Sequence, residues 1–175
     1  MRQLMEIAEE ARRVKHAVAR LGTKEKNRGL LAIAQALTDH ADEIIAANRT
    51  DIENGRANGL SDGLIDRLTL NRARIEGIAE GCRQVAALPD PIGEVLWMRK
   101  TPGGLNIGQK RVPMGVIGII YEARPNVTVD AAALCFKAGS ACILRGGKEA
   151  FHSSLCLTRL MRAALCAEGL PENAI

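Results

Sequence analysis

Apolar residues recur at helical spacing through residues 1–90, and the pattern changes afterwards. Leu4, Ile7, Ala8, Ala11, Val14 and Val18 fall on one helix face, because residues three and four apart stack on the same side. Gly22 ends this stretch, and Thr23 can cap the next one. Leu30, Ile33, Ala34, Leu37, Ala41, Ile44 and Ile45 form a second stripe. The run NGRANGLSDG at 54–63 is turn chemistry. A short helix around Leu64–Leu68 follows. Asn71 can cap another, with Ile75, Ile78, Ala79, Cys82 and Val85 facing inward, and the PDP at 89–91 stops it.

Beyond residue 92 the period shortens. GEVLWMRKTPGGLNIGQKRVP reads as two strands around TPGG, an extended β-arm over about 94–112. GVIGIIY, 115–121, is a short β-branched run and is expected to be a buried strand. VTVDAAALCFKAG, 127–139, is helical and ends at Gly139. Residues 142–144 make a second buried strand, and 149–168 a helix closed by GLP at 169–171. Strand, helix, strand, helix implies a parallel sheet with right-handed crossovers. The expected class is therefore α/β: N-terminal helices, then part of a parallel-sheet domain. The run ends at PENAI, where the alternation calls for a third strand. Two parallel strands do not make a covered sheet, so the chain reads as cut short within the domain.

Composition narrows the function classes. With 175 residues, 47% apolar and 25% charged, the chain can build one globular core. A net charge of +4 with interspersed signs and only 2% aromatics argues against a nucleic-acid binder that stacks bases or concentrates cations. The N-terminus mixes charges among its apolar residues, so no signal core is expected. The longest nearly apolar run, Val112 to Tyr121, is far short of the ~20 residues of a membrane helix. Five cysteines without CxxC fit reduced thiols in a cytoplasm.

Two segments carry candidate chemistry, both at carboxyl ends of expected strands, where open α/β sheets bind ligands. In CILRGGKEA, Arg145, Gly146, Gly147 and Lys148 form a strand-turn-helix junction. Unpaired amides and the dipole make a helix start attractive to anions, and cations on both sides of the glycines add to this. A plain tight turn is the alternative. In YEARPN, 121–126, Asn126 offers an amide for a developing oxyanion and Arg124 a fork for phosphate or carboxylate. Alternatively, Asn126 caps the helix and Arg124 pairs with Glu122 at the surface. Cys82, Cys135, Cys142, Cys156 and Cys166 read as small core residues rather than nucleophiles. His152 and Cys156 lie four apart, but nothing completes a four-ligand zinc site, so no metal is expected.

The segment RVPMGVIGIIYEARPNVTVDAAALCFKAGSACILRGGKEA, 111–150, closely resembles the γ-glutamyl phosphate reductases, also called glutamate-5-semialdehyde dehydrogenases, of the aldehyde dehydrogenase superfamily. ANGLSDGLIDRLTLNRARIEGIAEG and LPDPIGEV resemble them too, so the likeness covers essentially all of residues 1–175. The resemblance implies NADPH-dependent reduction of γ-glutamyl phosphate to glutamate 5-semialdehyde in proline biosynthesis. In that family a cysteine displaces phosphate to give a thioester, and hydride transfer releases the aldehyde. Arg145 and Lys148 match the lysine and glutamate of the superfamily's Lys-Pro-Ser-Glu cofactor turn. A lysine in place of that glutamate suits the 2′-phosphate of NADP(H). YEARPN matches the Trp-Asn-Phe-Pro segment, with Asn126 and Arg124 competing for the oxyanion role because the spacing differs. The β-arm resembles strands through which the superfamily forms homo-oligomers. None of the five cysteines matches the family's nucleophile, which lies downstream in a second domain. The resemblance thus implies the N-terminal portion of an NADP-binding domain without the catalytic cysteine, inactive by itself; the alternative is a non-catalytic α/β fragment with weak nucleotide binding.

Overall fold

The computed structural model describes residues 4–175; Met1–Gln3, the first residues of the expected N-terminal portion, lie outside the described residues. Five helices come first: α1 (Leu4–Arg20), α2 (Thr23–Asp39), α3 (Ala41–Ala57), α4 (Asp62–Leu68) and α5 (Arg72–Ala87). A hairpin of β1 (Val95–Lys100) and β2 (Asn106–Lys110) follows, then β3 (Val116–Ile120), α6 (Pro125–Lys137), β4 (Ala141–Arg145) and α7 (Phe151–Ala167). A 3-10 turn, Lys148–Ala150, precedes α7, and another, Glu172–Ala174, follows it. This is the α/β arrangement read from the pattern.

The helical core forms where the apolar stripes converge. Leu30, Ile33 and Leu37 of α2, Ile75 and Ala79 of α5, Phe136 of α6, and Leu157, Met161 and Leu165 of α7 are buried together. Gly29 permits the close approach of α2: a Cβ there would lie 2.8 Å from Leu170 and 3.0 Å from both Leu165 and Phe136. The second stripe is broken at His40, which ends α2 and starts α3 with φ −103 and ψ 24. Helix α3 also runs through Asn54–Ala57, inside the segment expected to turn. Gly55 there leaves room for Leu60 and Ile65, whose methyls lie 2.9 and 3.1 Å from where a Cβ would be. The chain turns at Gly59, with φ +75.

Two helix starts bear on the capping arguments. Asn71 caps α5, its side chain accepting from the Arg74 amide at 2.8 Å. Thr23 does not cap α2. Gly22 takes that position and donates its amide to Glu25 at 2.8 Å, while the Thr23 hydroxyl donates to Asp90 at 3.1 Å. The same Asp90 accepts from the buried Lys26 ammonium at 2.9 Å. Lys137, also buried, donates to Asn27 at 2.6 Å and to the Ala86 carbonyl at 2.8 Å. These buried cations stitch α2 to the segment after α5 and to the end of α6.

The β-arm is an antiparallel pair, with Val95 opposite Lys110 and Lys100 opposite Asn106. Every residue of both strands is exposed. Thr101 and Leu105 close its tip through a 2.8 Å amide-to-carbonyl bond, with Gly104 at φ +84.

Strands β3 and β4 pair in parallel, from Val116 opposite Ala141 to Ile120 opposite Arg145. The expectation of two buried strands holds only for the start of β4, where Ala141 and Cys142 are buried. Strand β3 is half-buried to exposed, and Ile120 is 87% exposed. Among the described residues this sheet has no third strand at either edge, and α1 and α6 cover β4 more than β3. Helix α1 shows the same effect: Ala11 and Val18 are buried, but Leu4 and Ile7 of its stripe are exposed.

Candidate functional site

The parallel register sets the carboxyl ends of β3 and β4 side by side, and the loops leaving them touch. The Tyr121 amide donates to the Arg145 carbonyl at 3.1 Å, extending the ladder one residue. The Tyr121 ring then lies over Gly146, where a Cβ would come within 3.1 Å of it. A Cβ on Gly147 would meet the Ala123 amide nitrogen at 3.1 Å and a Glu149 carboxylate oxygen at 2.7 Å. Packing of one loop on the other therefore requires both glycines, whatever the turn binds.

The start of α7 differs from the sequence expectation. The 3-10 turn places Lys148 before the helix, which begins at Phe151 rather than near 149. The first amides of α7 are also already engaged. Asp51, buried on α3, accepts from the His152 amide at 3.0 Å and from the Ser153 amide at 2.7 Å, and the Ser153 hydroxyl donates to it at 2.6 Å. Asn48 continues the network, donating to Ser153 at 3.0 Å and to the Leu68 carbonyl at 2.8 Å. A protein carboxylate thus neutralises this helix end, as the dipole favours. What the turn offers an anion is its side chains. Lys148 is exposed, with no hydrogen bond or ion pair among the described residues, and exposed Arg145 donates to the adjacent Gly146 carbonyl. Unpaired cations beside close-packed glycine backbone fit the phosphorylated end of a nucleotide.

Arg124 and Asn126 come together at the other loop. Arg124 is the residue before α6, held extended at φ −123 by the Pro125 that opens the helix. Asn126 lies inside the first turn, so it is not the cap, and its amide donates to Asp130 at 3.1 Å. Arg124 makes no ion pair with Glu122; only its backbone amide bonds there, to the carbonyl at 2.8 Å. Both surface alternatives are thereby replaced. The two side chains line a pocket of about 450 Å³ between α6 and the α4–α5 corner, which Arg67, Arg74, Ile78 and Asp130 also line. Arg74 is fixed by Asp66 at 2.8 Å and by the Thr69 carbonyl at 2.7 Å. Burial raises the Asp130 carboxyl above its ordinary range, and the Asn126 bond opposes this. One Asn126 N–H remains for an acceptor.

The thiols do not join either loop as nucleophiles. Burial pushes Cys82 up to about 12 and raises Cys156, while the hydrogen bond with Cys135, together with burial, raises Cys142 strongly. Cys135 is lowered through its hydrogen bond with Cys142, yet both are buried. Cys166 is exposed, contrary to the reading of all five as core residues.

Sequence reasoning missed Tyr121, Asp51, Arg67 and Asp130. Asp130 was within reach, one turn beyond Asn126 on the same helix face. Asp51 meets Ser153 from 102 positions away, and no local pattern marks such a pairing.

Among proteins of known sequence, the chain is 55% identical over 175 residues to a γ-glutamyl phosphate reductase of Carboxydothermus hydrogenoformans, covering 100% of the chain and 42% of the relative. It is 57% identical over 165 residues to one from Moorella thermoacetica, covering 94% of the chain and 40% of the relative. The crystal structure of the Thermotoga maritima γ-glutamyl phosphate reductase superposes with a TM-score of 0.95 at 40% identity, over 99% of this chain and 42% of that one. The chain therefore spans about 42% of the length of the first of these relatives. No helix among the described residues is long and apolar enough to cross a membrane. The aldehyde dehydrogenase family model matches residues 2–175, and with the paired strand ends and their two loops in place, the chain belongs to the aldehyde dehydrogenase family.

Proposed function

We propose that the chain is the N-terminal, NADP-binding part of a cytoplasmic γ-glutamyl phosphate reductase, which reduces γ-glutamyl phosphate to glutamate 5-semialdehyde and phosphate in proline biosynthesis. The observation that carries this is 55% identity over the whole chain to a reductase of that name. Lys148 and Arg145 hold the adenosine end of NADPH, with Lys148 beside the 2′-phosphate. Bound there, the nicotinamide cofactor supplies the hydride. Asn126 uses its remaining N–H to stabilise the oxyanion that develops at the acyl carbon, and Arg124 holds the phosphate. The nucleophilic thiol comes from residues of the complete enzyme that this chain lacks, so these 175 residues alone are inactive. The exposed β-arm pairs with another subunit.

The test is NADPH oxidation by the complete enzyme with γ-glutamyl phosphate, in wild type and Lys148→Glu. A charge-assisted contact is worth roughly 1.5–3 kcal/mol, or about a ten- to hundredfold preference. The kcat/KM ratio for NADPH over NADH should fall by that factor in the variant, mostly through weaker NADPH use. An unchanged ratio refutes the role of Lys148, and absence of turnover in wild type refutes the reductase reading.

A further inference from the structure

The pocket beside α6 holds more charge than the oxyanion and phosphate roles require. Arg74 and Asp66 satisfy one another at 2.8 Å. That leaves, among the described residues, Arg67 and Arg124, whose side chains make no hydrogen bond or ion pair, and Asp130, which bonds only to Asn126. Two free arginines and one carboxylate around one cavity are complementary to a ligand with two anionic groups and one cation. γ-Glutamyl phosphate has that pattern: an acyl phosphate, an α-carboxylate and an α-ammonium. Asn126 and Asp130 meet side by side on α6, the amide donating to the carboxylate at 3.1 Å, and Arg67 of α4 and Arg124 before α6 line the same pocket, so one small ligand can reach all four.

We propose that this pocket reads the amino-acid end of the substrate, with Asp130 pairing the α-ammonium and Arg67 the α-carboxylate, while Arg124 and Asn126 serve the acyl phosphate. The inference rests on the reductase reading and adds its specificity-determining residues. Among the described residues Asp130 bonds only to the neutral Asn126 amide, so its charge has no cationic partner until the substrate brings one.

The test runs the complete enzyme in reverse, with NADP⁺ and phosphate, on two aldehydes. One is glutamate 5-semialdehyde; the other is glutaric semialdehyde, which lacks the amino group. Wild type should prefer the first by about ten- to hundredfold in kcat/KM. Asp130→Asn should collapse that preference by raising KM for glutamate 5-semialdehyde far more than KM for glutaric semialdehyde, and a far-UV circular dichroism spectrum like that of wild type shows that the variant is folded. Asp130→Glu should restore part of the preference. Arg67→Gln should raise KM for both aldehydes, and Arg67→Lys should recover some affinity. The proposal is overturned if Asp130→Asn keeps the preference, or if Arg67→Gln leaves both KM values unchanged. In either case wild-type turnover shows that the reductase reading survives. Failure of wild type to oxidise either aldehyde overturns both readings together.

Discussion

Gly146 and Gly147 are needed where the two loops pack together. Their missing side chains admit the Tyr121 ring and the Ala123 backbone. The sequence identified the pair and its flanking cations but not the packing, because the Tyr121 contact depends on strand register. Asp51 was illegible for a related reason: its partners lie on another helix. Asp90 carries a residue-scale consequence. Burial works against its charge as the largest single influence, but bonds from Lys26, the Ile92 amide and Thr23 together hold its carboxyl below the usual range. A carboxylate with a depressed folded-state pKa stabilises the fold above its unfolded value near 3.9, and that contribution is lost as pH falls through the folded value. Asp90→Asn removes the partner of a Lys26 that is only 1% exposed. It should cost about 3 kcal/mol at neutral pH and flatten the acid limb of the stability profile. Urea titrations from pH 2 to 7 check this; a variant as stable as wild type at pH 7 would show that the pair contributes nothing net.

At the scale of elements, period and turn chemistry located the helices well, because amphipathic stripes such as Ile75–Ile78–Ala79–Cys82 are set locally. The break at His40 escaped notice because Ala41 and Ile44 continue the apolar spacing of α2 across it. Strand β3 looked buried because its β-branched run is the same whether a neighbouring strand is present or not. Gly29 makes the clearest test of packing against propensity. Alanine favours a helix over glycine by about 1 kcal/mol, so an open site would gain from Gly29→Ala. Here three core side chains enclose the position at 2.8–3.0 Å. Overpacking should dominate, for a net loss of about 1–3 kcal/mol, measured as a lower melting temperature. An unchanged or raised melting temperature would mean that α2 can move away from α6 and α7 without cost.

For the whole molecule, the unpaired surfaces are informative. Trp97 and Met98 on the arm, and Ile120 on the sheet, are exposed at 42%, 66% and 87%. Open strand edges recruit partners. The complete enzyme should therefore be an oligomer by sedimentation, and deleting the hairpin between Glu94 and Arg111 should shift it toward monomer; an unchanged distribution would place the contact elsewhere. Fold class and both loops were legible because strand-helix alternation fixes which ends meet, whereas the charged pocket needed helices distant in sequence. As proposed, these loops serve an acyl-phosphate reductase rather than an aldehyde dehydrogenase that hydrolyses its thioester. The most direct measurement is NADPH formation from glutamate 5-semialdehyde by the complete enzyme, with and without inorganic phosphate. Formation should require phosphate, with saturation that weakens when Arg124 is replaced by glutamine. Equal rates without phosphate would contradict the reductase reading.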